Sequence, residues 1–173
     1  MFMNTFVIAI FTCIISTIFV LSVAYSMSRM RFKMRKPFMN IAMIIGLFPS
    51  FMSMIAVYYI LRALNLAMIR VALIIVFSAG SGAGFYVGKG FFDTISKSLD
   101  EAAIIDGATR WNVFTKITVP LSKPIIVYTI LTSFMGPWVD FIFGKVICRA
   151  DAQYYTVSIG LWKMLEKEYI DSW

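Results

Sequence analysis

Long apolar runs alternate with short polar segments along this chain. Residues 1–28, 37–61 and 71–88 carry no charged side chain, and residues 124–144 carry only one, that of Asp140. A bilayer core about 30 Å thick needs roughly 20 helical residues, and each run meets or nearly meets that length. The pattern therefore predicts an all-α, polytopic membrane helix bundle. The four predicted spans lie at about 4–28, 38–61, 70–92 and 124–146.

The overall composition supports the same class. Of the 173 residues, 60% are hydrophobic and 14% are charged, whereas soluble domains average about 25% charged residues. A soluble fold could not cover so much apolar surface with so few charges. Lipid bilayer is therefore expected as part of the solvent.

The net charge of +7 is concentrated in one short connection. A cluster of five cations between the first two apolar runs indicates a cytoplasmic loop, because such loops carry an excess of Lys and Arg. The same distribution argues against a nucleic-acid partner. The polar segment 93–123 is then cytoplasmic as well, and a tail over 147–173 lies outside. The five cations are Arg29, Arg31, Lys33, Arg35 and Lys36.

The residues that usually build metal or catalytic centres are scarce. Cys13 and Cys148 both lie in apolar runs, and the chain has no His. Small buried hydrophobes are the ordinary interpretation of such cysteines. We expect no metal site and no cofactor in this chain. No nucleophile–base pair that would indicate an enzyme stands out.

The third span carries a stripe of glycines at a spacing of four. Gly80, Gly84 and Gly88 form two consecutive G-x-x-x-G steps, a pattern that allows neighbouring helices to approach closely. A phosphate-binding loop does not fit, because its first glycine would fall on Ala83 and Gly90 would follow Lys89. We predict helix packing.

The segment between the third and fourth spans is predicted to form a polar helical hairpin. Ser98 and Glu101 have the spacing of a capping box, which would start a helix at Ser98. Ala102 and Ala103 then form a flat patch that another protein surface could approach closely. Such a helix is too short and too polar to cross the membrane.

The end of this hairpin is marked by glycine and proline. Gly107 favours the left-handed conformation that ends helices, a second short helix can run from Thr109, and Pro120 is expected to stop it. Pro124 can open the next span from its first turn. The residues alone leave two interpretations open: an amphipathic hairpin lying on the lipid headgroups, or a docking element for a cytoplasmic partner.

Residues 101–120 resemble the EAA loop of binding-protein-dependent ABC importer permeases. That family pattern is E-A-A-x3-G-x9-I-x-L-P, and the chain departs from it only at Val119, which replaces Leu. Asp106 and Ala108 also match its D-G-A form. Ser96 stands where relatives usually have Pro. The stretches "KGFFDTISKSLDEAA" and "SFMGPWVDF" are similar to the carbohydrate type of the maltose/maltodextrin-transporter class.

The resemblance implies a permease subunit that forms half of a sugar pathway in a bacterial cell membrane. Its expected partners are a cytoplasmic ABC ATPase dimer that hydrolyses ATP, a second homologous permease chain, and an extracytoplasmic solute-binding protein that delivers an oligosaccharide such as maltodextrin. Relatives of this class usually have six spans, so the first and last are expected to be missing here. The alternative function is an ATP-independent secondary transporter or a structural membrane subunit.

Asp140 and Trp138, near the outer end of the fourth span, are candidates for the substrate path. Acids inside membranes are rare, and the alternative for Asp140 is a helix-end or snorkelling charge.

The resemblance also implies which residues contact the ATPase. The implied coupling residues are Glu101, Ala102, Ala103, Asp106, Gly107, Arg110, Val113 and Phe114.

Overall fold

The computed structural model describes residues 1–47, 50–64, 69–81, 84–148 and 152–165, and in these ranges all regular structure is helical. A 3₁₀ turn, Ala152–Tyr154, precedes the last helix. The helices are α1 (Phe2–Arg29), α2 (Arg35–Gly46), α3 (Ser50–Ala63), α4 (Ile69–Gly80), α5 (Gly84–Thr94), α6 (Lys97–Ile105), α7 (Arg110–Val113), α8 (Val119–Leu121), α9 (Lys123–Val139), α10 (Ile142–Cys148) and α11 (Val157–Leu165).

Helix α1 is the centre of the bundle, and it packs against α4, α5 and α9. Among the described residues, α1 is the only unbroken helix that is long and apolar enough to cross a membrane. Two bent pairs also qualify when each is taken as one span: α4 with α5, bent by 43°, and the helix over 110–121 with α9, bent by 79°. The described helices therefore supply between one and three spans.

The predicted spans at 38–61 and 70–92 each coincide with two helices. The former falls on α2 and α3, with residues 48–49 outside the described residues, and neither helix spans a membrane by itself. The latter falls on α4 and α5, with residues 82–83 outside them. Both spans stay predictions.

The polarity of α1 is the reverse of that in a soluble bundle. Its inward face buries small polar side chains, with Thr5, Thr12 and Ser16 at most 1% exposed. Its outward face carries large apolar side chains such as Ile14 and Phe19, which are 52% and 63% exposed. Small residues at the contact and bulky apolar residues outside are what packing in lipid favours.

Two glycines of the predicted stripe lie against α1, and the third does not. A Cβ added at Gly88 would stand 3.0 Å from the Cβ of Ala24, and one at Gly84 would stand 3.6 Å from Val20. At Gly80 the added Cβ would meet no described atom within 4 Å. Close approach of helices therefore involves α5 at Gly84 and Gly88, while Gly80 is not part of this contact.

The fourth predicted span, 124–146, is also divided. Helix α9 ends at Val139, the chain is extended at Asp140, and α10 begins at Ile142. Cys148, at the end of α10, is fully buried in a cluster with Ile8 of α1. The tail that was predicted to lie outside thus packs on the end of α1 opposite to Arg29.

Candidate functional site

The hairpin between α5 and α9 begins two residues earlier than the capping-box pattern predicts. Helix α6 starts at Lys97, and its N-cap is Ser96, whose side chain accepts a hydrogen bond from the Ser98 N–H at 3.3 Å. The prediction that Ser98 caps the helix was wrong. Ser96 has the extended backbone that a cap requires, and Ser98 already lies in the first helical turn.

A Schellman motif ends α6 and makes the turn of the hairpin. Gly107 has φ of +85°, its N–H donates to the carbonyl of Ile104 at 3.0 Å, and the Ala108 N–H donates to Ala103 at 2.9 Å. Thr109 then caps α7, because its hydroxyl accepts from the Asn112 N–H at 3.2 Å. These contacts set the direction in which α7 leaves α6.

The second helix of the hairpin continues past the predicted stop at Pro120. A π-helical segment, Phe114–Thr118, leads into α8, which ends at Leu121. Pro120 lacks an N–H, and its ring crowds the carbonyl four residues earlier, so one helical hydrogen bond is lost. A π-helical turn just before it is a local irregularity that is compatible with this missing hydrogen bond. The break comes at Ser122, and Pro124 lies in the first turn of α9, where proline is tolerated.

The implied coupling residues divide into an outward and an inward group. Glu101, Ala102, Asp106, Gly107 and Arg110 are exposed, and Ala103 is half-buried. The inward group is Val113, which is 1% exposed, and Phe114, whose ring lies 4.7 Å from that of Tyr25 in α1.

The exposed face of the hairpin also carries two large apolar residues that the sequence analysis did not select. Ile105 is 84% exposed and Trp111 is 69% exposed. They stand on either side of the Gly107 turn. The sequence offered a signal for these two residues, because both are bulky and apolar and flank the predicted docking turn. Aromatic anchors are enriched where proteins bind one another.

The inner face of the hairpin is attached to the end of α1. Arg29 Nε lies 2.9 Å from Asp100 Oδ2, close enough for an ion pair, although this nitrogen makes no hydrogen bond. Arg29 Nη2 donates to the carbonyl of Ile95 at 2.8 Å, and Ser28 Oγ donates to Asp93 Oδ1 at 2.6 Å. The sequence analysis treated Arg29 only as a loop charge, so this attachment was missed.

A cavity of about 660 Å³ opens beside this attachment. Its wall contains five cations and two carboxylates, so the excess of charge is positive. An acidic surface would be attracted to it. The charged residues in its wall are Arg29, Arg31, Arg35, Lys97, Arg110, Asp100 and Glu101.

The two substrate-path candidates lie at the other end of the bundle. Asp140 Oδ1 accepts from the Gly144 N–H at 3.1 Å, which makes this carboxylate a cap at the start of α10. The Trp138 ring packs edge-on against Phe2 at 5.3 Å. No group of three His, Cys, Asp or Glu side chains that could hold a metal occurs in the part of the chain that the structure describes.

A family model described as "binding-protein-dependent transport system inner membrane component" matches residues 18–169. This match covers most of the chain, including the whole hairpin. The chain belongs to this family. Its helical membrane fold agrees with that membership.

Two sugar transport permease proteins are among the relatives similar to this chain. The galactooligosaccharides transport system permease protein GanQ of Bacillus subtilis is 33% identical over 165 residues, which cover 95% of this chain and 58% of that protein. The maltodextrin transport system permease protein MalD of Streptococcus pneumoniae is 32% identical over 161 residues, with coverages of 92% and 57%. The chain therefore spans less than two thirds of the length of these relatives.

A solved structure supports the fold of this inner membrane component. It is described as a bacterial ABC transporter involved in the import of the acidic polysaccharide alginate. One of its chains superimposes with a TM-score of 0.85 at 26% identity, covering 99% of this chain and 61% of that one.

Proposed function

We propose that this chain is a transmembrane permease subunit of an ATP-driven ABC importer and forms half of the pathway for an oligosaccharide such as maltodextrin. The names of its relatives, which concern galactooligosaccharides and maltodextrin, support the substrate class. ATP is hydrolysed by a separate ATPase dimer on the cytoplasmic side. A second permease chain completes the pathway, and an extracytoplasmic solute-binding protein delivers the sugar.

One observation carries the proposal: the exposed E-A-A helix ends in a turn that requires glycine. Glu101 and Ala102 stand on the exposed side of α6, and Gly107 closes the Schellman motif at its tip. Small side chains let a cleft in a partner surround the helix closely, and the carboxylate can pair with a cation there. A rigid helical hairpin docked in this way moves with its partner.

The connections of the hairpin explain how such a movement reaches the bundle. The hairpin joins α9 directly at Ser122 and is bonded to α1 through Arg29 and Asp100. When ATP binding closes the ATPase dimer, the hairpin follows it, and α1 and α9 tilt. The pathway between the two permease chains then changes from inward-facing to outward-facing.

The test is to express the chain with its genomic neighbours, solubilise the membranes in detergent and measure which ATPase co-purifies. We expect Glu101→Ala to weaken ATPase binding about tenfold, the loss of roughly 1.4 kcal/mol. Gly107→Ala should strain the turn by about 1–2 kcal/mol, because L-residues rarely adopt this φ. The matched control is Gly90→Ala, since Gly90 is helical and its Cβ would meet no described atom within 4 Å.

Two outcomes would contradict the proposal. One is sugar uptake by the wild-type system that persists without any ATPase, which would favour an ATP-independent secondary transporter. The other is an ATPase that binds the Glu101 and Gly107 variants as well as the wild type, which would leave the hairpin without a docking role.

A further inference from the structure

The last turns of α1 contact α5, the joint that follows it and α6. Gly88 of α5 packs on Ala24, and Ser28 is hydrogen-bonded to Asp93 at the end of α5. Arg29 reaches both the joint after α5 and the side of α6. A residue of α1 thus holds the hairpin at a position 71 residues away along the chain.

The central contact of this region is a largely buried ion pair. The Arg29 side chain is 5% exposed and the Asp100 side chain is 13% exposed. In such an environment each charge depends on the other, because removing one partner leaves an uncompensated buried charge. Arg29 Nη2 also donates to the carbonyl of Ile95, which restricts the movement of the guanidinium beside Asp100. The pair therefore specifies where α6 sits on α1.

Few other contacts would hold α6 in that place. Helix α6 packs mainly against α7, which belongs to the same hairpin. Ile104, Ile105 and Glu101 on its remaining faces are exposed. The other contacts between α1 and the hairpin avoid α6: the Tyr25 ring packs on Phe114, the Tyr25 hydroxyl donates to the Arg110 carbonyl, and Arg29 bonds to the Ile95 carbonyl before α6 begins.

We propose that Arg29 and Asp100 are positioning residues that make α1 move with the hairpin, so that closure of the ATPase is transmitted to the first helix as well as to α9. This inference rests on the proposed function. Loss of the pair allows the hairpin to move while α1 stays behind. ATP is then hydrolysed without a matching change of the pathway.

The test measures sugar uptake and ATP hydrolysis together in the assembled importer. We expect Arg29→Ala and Asp100→Ala to lower the number of sugars imported per ATP at least about fivefold, the lower end of typical coupling effects, while the ATPase still co-purifies. The charge swap, Arg29→Asp combined with Asp100→Arg, should restore most of the ratio. Lys33→Ala, which removes an exposed cation of the same cluster that is not in the wall of the cavity, should leave it unchanged.

A second measurement covers variants that assemble poorly. Cys13 and Cys148 are replaced by alanine, cysteines are placed at positions 29 and 100, and a bifunctional thiol reagent links them. Because the two positions are proposed to move together, the linked importer should keep a sugar-to-ATP ratio higher than the unlinked one.

The outcomes separate this inference from the proposed function. If no ATPase co-purifies with the wild type, the proposed function has failed. If the wild type imports sugar with ATP, but the single variants keep the normal ratio or the cross-link abolishes uptake, the pair does not transmit movement. A swap that restores assembly without restoring the ratio would also overturn the inference.

Discussion

Asp140 illustrates how a residue that stands out in the sequence can have a local role. Its carboxylate accepts from the Gly144 N–H, and its carbonyl accepts from the Ser158 hydroxyl. These contacts connect the ends of α9, α10 and α11 at one point. Asp140 therefore acts as a helix cap in the structure, while its place in a substrate path stays a prediction.

Two substitutions distinguish a cap from a substrate ligand at Asp140. Asn caps helices about as well as Asp, whereas Ala costs about 1 kcal/mol. We expect Asp140→Asn to keep both the thermal unfolding midpoint in detergent and sugar uptake, and Asp140→Ala to lower the midpoint. Normal stability with abolished uptake in Asp140→Asn would instead assign the charge to the pathway.

Single residues of the hairpin could be predicted where one residue type has a strong backbone preference. Gly107 was expected in the left-handed region, and its φ is +85°. The helix start was less certain in principle, because Ser96 and Ser98 are both good caps and lie two residues apart. In the structure Ser96 is the cap, and the Ile95 carbonyl just before it accepts from Arg29.

At the scale of helices, the glycine stripe depends on whether α4 and α5 are continuous. A spacing of four places residues on one face only in an unbroken helix. The 43° bend between Arg70–Gly80 and Gly84–Thr94 removes Gly80 from the face that Gly84 and Gly88 share. The sequence therefore predicts a close contact, but it cannot show which glycines take part.

This difference gives a stability prediction for two glycines. Gly88→Val should destabilise the packing of α5 on α1 by about 1–3 kcal/mol, the usual cost of overpacking, because a Cβ added at this position would stand 3.0 Å from the Cβ of Ala24. Gly80→Val is the matched control and should be nearly neutral. The measurement is the thermal unfolding midpoint of the purified chain in detergent. Equal midpoints for the two variants would show that the α1–α5 contact is not tight.

For the whole molecule, the testable property is its orientation in the membrane. In a chain without Cys13 and Cys148, we expect a cysteine at exposed Ala102 to react with a membrane-impermeant thiol reagent only from the cytoplasmic side. A cysteine at exposed Leu161 should react only from outside. Labelling of intact cells and of inside-out vesicles is compared. Outside labelling at position 102 would place the hairpin where no ATPase can reach it.

The membrane class and the helical hairpin with its Gly107 turn could be predicted because both depend on local sequence patterns. Uncharged runs indicate spans, and the E-A-A and Gly107 spacing indicates the hairpin. The pairing of Arg29 with Asp100 could not be predicted, because it depends on how α1, α5 and α6 meet in three dimensions. The same holds for the break at Asp140, which lies inside a run that is apolar enough to continue. The break at Ser122 was expected two residues earlier, at Pro120.

The 79° bend at Ser122 has a consequence for the size of the movements that the hairpin can produce. Ser122 is fully buried and its hydroxyl donates to the Thr118 carbonyl, so the corner is held firmly. Helix α9 extends from this corner for 17 residues, or about 25 Å. A rotation of the hairpin by roughly 10° would displace the far end of α9 by about 4 Å at that length. Under the proposed function, a small rotation of the hairpin at the inner surface would therefore displace the opposite end of the bundle by about the diameter of a water molecule or more.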